Sequence, residues 1–154
     1  GKVRLKDMWG FCESQETVGV SPSMFEEFVF QYQLPILEKF GLNCYGCCEP
    51  LEKRWDIIKK IPNLRRVSCS PFSNWYEMAE KLENKYIFSM KPTPTDLAED
   101  VFDENIVRKR IQNGLKITKN CIVEIIMKDT HTLRNDPSRV IKWVEIAKNE
   151  AESL

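Results

Sequence analysis

Histidine is nearly missing from this chain: His131 is the only one among 154 residues. Net charge is missing too, with 23 Lys plus Arg against 23 Asp plus Glu. No basic excess is available to gather on one face, so nucleic acid and anionic membrane surfaces are not expected as partners. No stretch approaches the roughly 20 apolar residues of a membrane span. Gly1-Lys2-Val3-Arg4-Leu5-Lys6 has no apolar block of the kind that directs secretion. These absences predict a soluble, cytoplasmic chain with no membrane partner. The sequence also lacks a Gly-rich phosphate loop, a Walker lysine and a serine nucleophile elbow. Internal repeats, low-complexity tracts and flexible linkers are absent as well, so residues 1–154 read as a single domain.

What is present suits a domain with a real core: 42% hydrophobic, 10% aromatic and 30% charged residues. Six cysteines, three of them clustered at Cys44, Cys47 and Cys48, are spaced too irregularly for a disulfide framework and read as reduced thiols. Ser21-Pro22 marks a helix start, an N-cap followed by proline in the first turn. The spacing predicts a helix to about Phe40, kinked near Pro35, with Phe25, Phe28, Val29, Tyr32, Ile36 and Phe40 on its core face. Leu42 to Gly46 then reads as a strand, followed by helical spacing at Leu51, Trp55 and Ile58. The unit returns as Leu64 to Cys69 with Trp75, Met78, Ala79 and Leu82, and again as Tyr86 to Met90 with a helix over 103–119. It closes as Cys121 to Met127, with a last helix carrying Val140, Val144, Ala147 and Ala151. A partial strand is expected around Lys6 to Trp9. Strands alternating with helices imply parallel pairing through right-handed crossovers, hence an α/β fold. About five strands are too few for a closed eight-stranded barrel, so the expected architecture is an open sheet or part of a barrel.

In such folds the chemistry gathers where strands end and helices begin. Those ends hold Tyr45-Gly46-Cys47-Cys48-Glu49, Ser68-Cys69-Ser70, Met90-Lys91-Pro92 and Lys128-Asp129-Thr130-His131. Cys47 with His131, and Glu49 or Cys48 as a further donor, is a set suited to Zn²⁺ with an open position. The bland alternatives are thiols packed as small hydrophobes and a solvated histidine. Lys91 could bind an anionic group or act in catalysis, against the alternative of a surface lysine. Glu13 and Gln15 lie in a polar segment readable as a substrate loop or a plain connection. Tyr45 and Ser70 are further candidates for the substrate rim. Glu124, inside an apolar strand, needs a partner or a polar interior.

The stretch Val20-Ser21-Pro22-Ser23-Met24-Phe25-Glu26-Glu27-Phe28-Val29 resembles the "SPEMFEEFV" helix start of the uroporphyrinogen decarboxylase superfamily, which includes corrinoid-dependent methyltransferases. Tyr45-Gly46-Cys47-Cys48 is similar to its His-x-Cys-Gly strand end. Lys91-Pro92-Thr93-Pro94-Thr95-Asp96-Leu97 falls where the family has a "GNLDP"-like segment, and Asn135-Asp136-Pro137-Ser138-Arg139-Val140-Ile141 resembles its "TPxEN" helix start. The likeness covers about residues 13–154. It implies a TIM barrel of which this chain is the C-terminal half, partnered by the N-terminal half of its own barrel. In the methyltransferase branch it implies zinc that activates a thiol, and a corrinoid on a partner protein as methyl donor. Cys47 matches the first family cysteine, Tyr45 stands in the place of the histidine, and His131 lies near the place of the last cysteine. A metal-free decarboxylase relative and a non-catalytic barrel-derived binding module are the rival readings. Neither enzyme chemistry is complete within these residues. An isolated barrel half is expected to form a homo-oligomer through its open edges.

Overall fold

The computed structural model describes residues 1–153. Five strands, β1 (Trp9–Cys12), β2 (Leu42–Tyr45), β3 (Leu64–Cys69), β4 (Ile87–Met90) and β5 (Ile122–Ile125), form one sheet in the order β1-β2-β3-β4-β5. Every neighbouring pair is parallel. Sequential order with right-handed crossovers winds every helix onto the same face, as in a barrel and unlike a doubly wound sheet. The fold is therefore α/β with the architecture of a partial barrel, and the sheet is not closed. Among the described residues no helix is long and apolar enough to cross a membrane.

Strand period places Tyr45, Val67, Phe88 and Val123 in one register row and Cys44, Arg66, Ile87 and Ile122 in the next, on the opposite face. The first row packs under the helices: Tyr45, Val67 and Phe88 have no exposed surface. The second row belongs to the bare face, where Trp9, Phe11, Leu42 and Ile122 are exposed. Glu124 finds its partner on that face, 2.7 Å from Arg66 Nε. The Arg66 guanidinium also lies 5.1 Å from the Trp9 ring centre.

The first helix, α1, runs over residues 22–37. Ser21 Oγ accepts the Met24 N–H as its cap at 3.3 Å. Glu26–Phe30 is a π-helical stretch inside it. That stretch corrects the predicted core stripe. The i→i+5 pattern inserts an extra residue and rotates the following turns. Phe25, Phe30 and Leu37 therefore face the core, whereas Phe28, Tyr32 and Ile36 are 59%, 67% and 52% exposed. The helix ends at Leu37, short of Phe40, and the Gly41 N–H bonds the Met8 carbonyl at 3.1 Å. The first strand lies later than the expected Lys6 to Trp9. Asp7 takes the Arg4 N–H at 3.0 Å and its Nε–H at 3.1 Å, closing a 3₁₀ turn over Leu5–Asp7 before pairing begins at Trp9.

The remaining helices are α2 (Trp55–Ile58), α3 (Trp75–Leu82), α4 (Thr95–Ala98), α5 (Glu104–Ile117) and α6 (Ser138–Glu152). Asp103 caps α5 by accepting the Asn105 and Ile106 N–H groups at 2.8 and 3.2 Å. Gly114 lets α5 sit directly on β4, since a Cβ there would meet Met90 Sδ at 2.7 Å. Helix α6 buries Arg139, Trp143, Ile146 and Ala147; Val144 and Ala151 of the predicted stripe are exposed, so the buried face is centred on Trp143 and Ala147. The segment between β4 and α5 contains the short helix α4.

Candidate functional site

The carboxyl ends of the strands converge through their loops. After Tyr45 the chain turns sharply at Gly46, whose φ of +95° is open to glycine and whose missing Cβ would lie 2.6 Å from Leu51 Cδ1. The Gly46 N–H still bonds the Cys12 carbonyl at 2.9 Å, the last rung between β1 and β2. Ser68 Oγ then donates to the Cys47 carbonyl at 3.0 Å. Cys47 and Cys48 follow with their sulfurs 3.5 Å apart. The Cys48 thiol donates to Asp129 Oδ2 at 3.3 Å, and Lys128 Nζ stands 3.5 Å from the same oxygen. Lys128 also lies over the Phe72 ring, 5.3 Å from its centre.

β2 and β5 are three strand spacings apart, about 14 Å in a flat sheet. Contact between their loops requires the sheet to curl and the loops to lean inward over the mouth. The result is a half-exposed cluster of two thiols, a carboxylate, an ammonium and an aromatic ring drawn from the ends of β2, β3 and β5. Burial, then the hydrogen bonds with Cys47 and Asp129, push the Cys48 thiol up to about 11. The Cys48 hydrogen bond holds the Asp129 carboxyl below its ordinary range. Burial alone would lower Lys128, but its contacts with Cys48 and Asp129 outweigh this and leave it raised.

Glu49, proposed from sequence as a metal ligand, does other work. It is 1% exposed, and its oxygens accept the Ser14 N–H at 2.7 Å, the Ser14 hydroxyl at 3.2 Å and the Cys47 N–H at 2.8 Å. Arg54 completes this buried cluster, donating to Ser14 Oγ at 3.0 Å and to the Thr17 and Val20 carbonyls, with its guanidinium 4.5 Å from the Phe25 ring centre. Tyr45, a substrate-rim candidate, points under the helices instead. Its hydroxyl donates to Gln33 Oε1 at 2.8 Å, and burial raises its ionisation. Ser70 is buried and accepts the Phe72 N–H at 3.2 Å, shaping a turn. Glu13 accepts the Gln15 N–H at 2.9 Å and its carbonyl accepts from Gln33 Nε2 at 2.7 Å, while the Gln15 amide bonds Glu16. His131 is exposed and lines a cavity of about 460 Å³ with Thr130, Thr132 and Asp136.

Lys91 follows β4 and takes part in none of the ion pairs found among the described residues. Burial raises the Cys44 thiol, and the positive charges of Arg66 and Lys91 oppose that rise. Among the described residues the donors expected for zinc are not gathered into a three-ligand centre: the Glu49 carboxylate is held by three hydrogen bonds to Ser14 and Cys47, Tyr45 is turned away, and no three of the described His, Cys, Asp and Glu side chains are grouped to hold a metal ion. Sequence reasoning missed Asp129, Lys128 and Phe72. The strand-end rule did reach the segment 128–131, but ranking by metal chemistry favours its histidine over its carboxylate.

The class these features define is a singly wound, open α/β sheet with thiols at its carboxyl-end mouth. No protein-family model matches the chain, and no curated protein matches it.

Proposed function

We propose that the chain is the C-terminal half of a (β/α)₈ barrel of the uroporphyrinogen decarboxylase superfamily, and that its mouth serves thiol-based methyl transfer in the corrinoid-linked branch. The observation that carries this reading is the thiol pair leaving β2, facing Lys128 and Asp129 from the loop leaving β5. The ordered resemblances from Ser21 to Ile141 support it. In this reading the bare sheet face and the free edges of β1 and β5 receive the N-terminal half of the barrel. Without that half the chain pairs with another copy of itself.

A corrinoid on a partner protein is the methyl donor, and no step is assigned to zinc because the ligand set does not fit. The chain's own residues contribute a reactive thiol at Cys47, a carboxylate at Asp129 that accepts a hydrogen bond from Cys48 and orients it, and positive charge from Lys128 beside it. Lys91, which has no ion-pair partner among the described residues, faces an anionic group of the substrate. The same free cation and the same ligand misfit favour, as second reading, a metal-free decarboxylase relative acting on a carboxylated substrate.

The test is methyl transfer by the full-length protein from methylcobalamin to a small alkyl thiol, followed by loss of the methylcobalamin absorbance. Turnover is expected, with at least about a hundredfold loss in Cys47→Ser, the scale typical of removing a nucleophile's contribution. Equal turnover in the wild type and Cys47→Ser, or none in either, rejects the methyl-transfer reading and leaves the decarboxylase relative or a non-catalytic barrel module.

A further inference from the structure

Cys47 and Cys48 are adjacent, and successive side chains of an extended strand point to opposite faces. Here the chain has already left the strand at Gly46, and the backbone between the two thiols is held on both sides. The Cys47 N–H is bound by Glu49 Oε2 at 2.8 Å, and the Cys47 carbonyl by Ser68 Oγ at 3.0 Å. Glu49 is itself anchored by Ser14, in contact with Arg54. The 3.5 Å approach of the sulfurs therefore rests on a built loop. Both cysteines are partly exposed. Cys69 and Cys121 differ: their thiols are directed at the Val67 and Ala79 carbonyls.

We propose that Cys47 and Cys48 form a redox-active vicinal dithiol, a modification site whose oxidant is a low-molecular-weight disulfide such as oxidised glutathione. The thiolate of one cysteine attacks a sulfur of the small disulfide; that S–S bond breaks, and one small thiolate leaves. The neighbouring thiolate then attacks the cysteine sulfur of the mixed disulfide, forms the Cys47–Cys48 bond and expels the second small thiolate. Two electrons and two protons pass from the pair to the reagent, which departs as two thiol molecules. The thiol protons are lost to solvent; Asp129 accepts a hydrogen bond from Cys48 in the reduced pair, and Lys128, beside both groups, offsets the negative charge of the sulfur while it is anionic.

Adjacent Cα atoms sit about 3.8 Å apart across a trans peptide. Disulfides favour about 4.4–6.8 Å, so the closed form is strained and easily reopened by thiols. Closure removes both thiols from the mouth and severs the Cys48–Asp129 link between the loops after β2 and β5. The proposal concerns the thiol pair alone and stands apart from the methyl-transfer reading.

The experiment treats metal-free protein with excess oxidised glutathione, alkylates with N-ethylmaleimide, and maps the peptide bearing Cys47 and Cys48 by mass spectrometry. The expected peptide has lost two hydrogens and carries neither glutathione nor maleimide, and dithiothreitol restores both alkylation sites. Cys47→Ser and Cys48→Ser should each retain glutathione on the remaining cysteine. A measurement on the unaltered chain stands beside the variants: one equivalent of phenylarsine oxide, which bridges close thiols, should protect both cysteines from alkylation. Glutathione retained on the wild-type peptide, full alkylation of both thiols after oxidation, or a bond from either to another cysteine overturns the proposal.

Discussion

The loop that leaves β2 feeds two polar clusters built in different ways. On its inner side Glu49, Ser14 and Arg54 are buried, with the carboxylate bound by three donors and the guanidinium seated against Phe25. On its outer side Cys47 and Cys48 are half-exposed, beside an exposed Asp129 and a largely covered Lys128, and the group is held by longer contacts of 3.3 to 3.5 Å. Neighbouring residues of one loop thus supply a buried carboxylate held by three hydrogen bonds and a thiol pair that retains reactivity. A buried charge is tolerated only when fully partnered, which suits it to holding the loop. A thiol at the rim carries no such demand and is free to react. The inner cluster fixes the backbone on which the outer one is displayed.

The largest effect should come from breaking the inner cluster. Glu49→Ala leaves the buried Ser14 and Cys47 N–H groups without their acceptor and removes the negative charge near Arg54, at a cost of about 2–5 kcal/mol in chemical denaturation, from about 1–3 kcal/mol for each buried group left unpaired. Glu49→Gln keeps one acceptor oxygen and should cost roughly half as much. A result for Glu49→Ala within about 0.5 kcal/mol of wild type, the range of ordinary surface changes, would erase the distinction between the two clusters.

The second contrast lies along α1. Phe25→Ala should cost about 3–5 kcal/mol, as for a buried aromatic, while Tyr32→Ser should stay within about 0.5 kcal/mol in the monomer. Equal losses would restore the unbroken stripe that spacing alone predicts. The smallest effect concerns the outer cluster. Asp129→Asn should barely change stability but should lower the Cys48 ionisation below about 11, because it removes a charged acceptor that favours the protonated thiol. The pH profile of Cys48 alkylation reads this directly. A midpoint unmoved by Asp129→Asn would mean that burial alone sets the thiol.

Linkage gives the sign of the pH dependence. Cys48 ionises later in the folded chain than the ordinary value of 9.0. Its contribution to stability is complete below that value and is lost as pH rises from about 9 through 11.

Much of the fold was legible in the residues. Ser21-Pro22 marks a helix start, and the short segments 64–69, 86–90 and 121–127, each followed by helical spacing, read as strands that the structure places at 64–69, 87–90 and 122–125, because caps and residue period are local physics. Alternation then implied parallel pairing. The rotation of α1 was not legible, since the π-helical stretch at Glu26–Phe30 is settled by which side chains fit against the sheet. The site divided in the same way. That Cys47, Cys48 and the segment 128–131 share a rim follows from strand order, so the sequence by itself placed chemistry at that end. Which members meet depended on tertiary structure. Glu49 is drawn inward by Ser14, in contact with Arg54, while Tyr45 is turned under the helices toward Gln33. Asp129, not His131, reaches the thiols because the curled sheet brings the loops after β2 and β5 together. Residue type and period specify elements one at a time. Pairings across 35 to 81 residues of chain are set by the packed sheet, which decides the partners that Glu49 and Cys48 can reach.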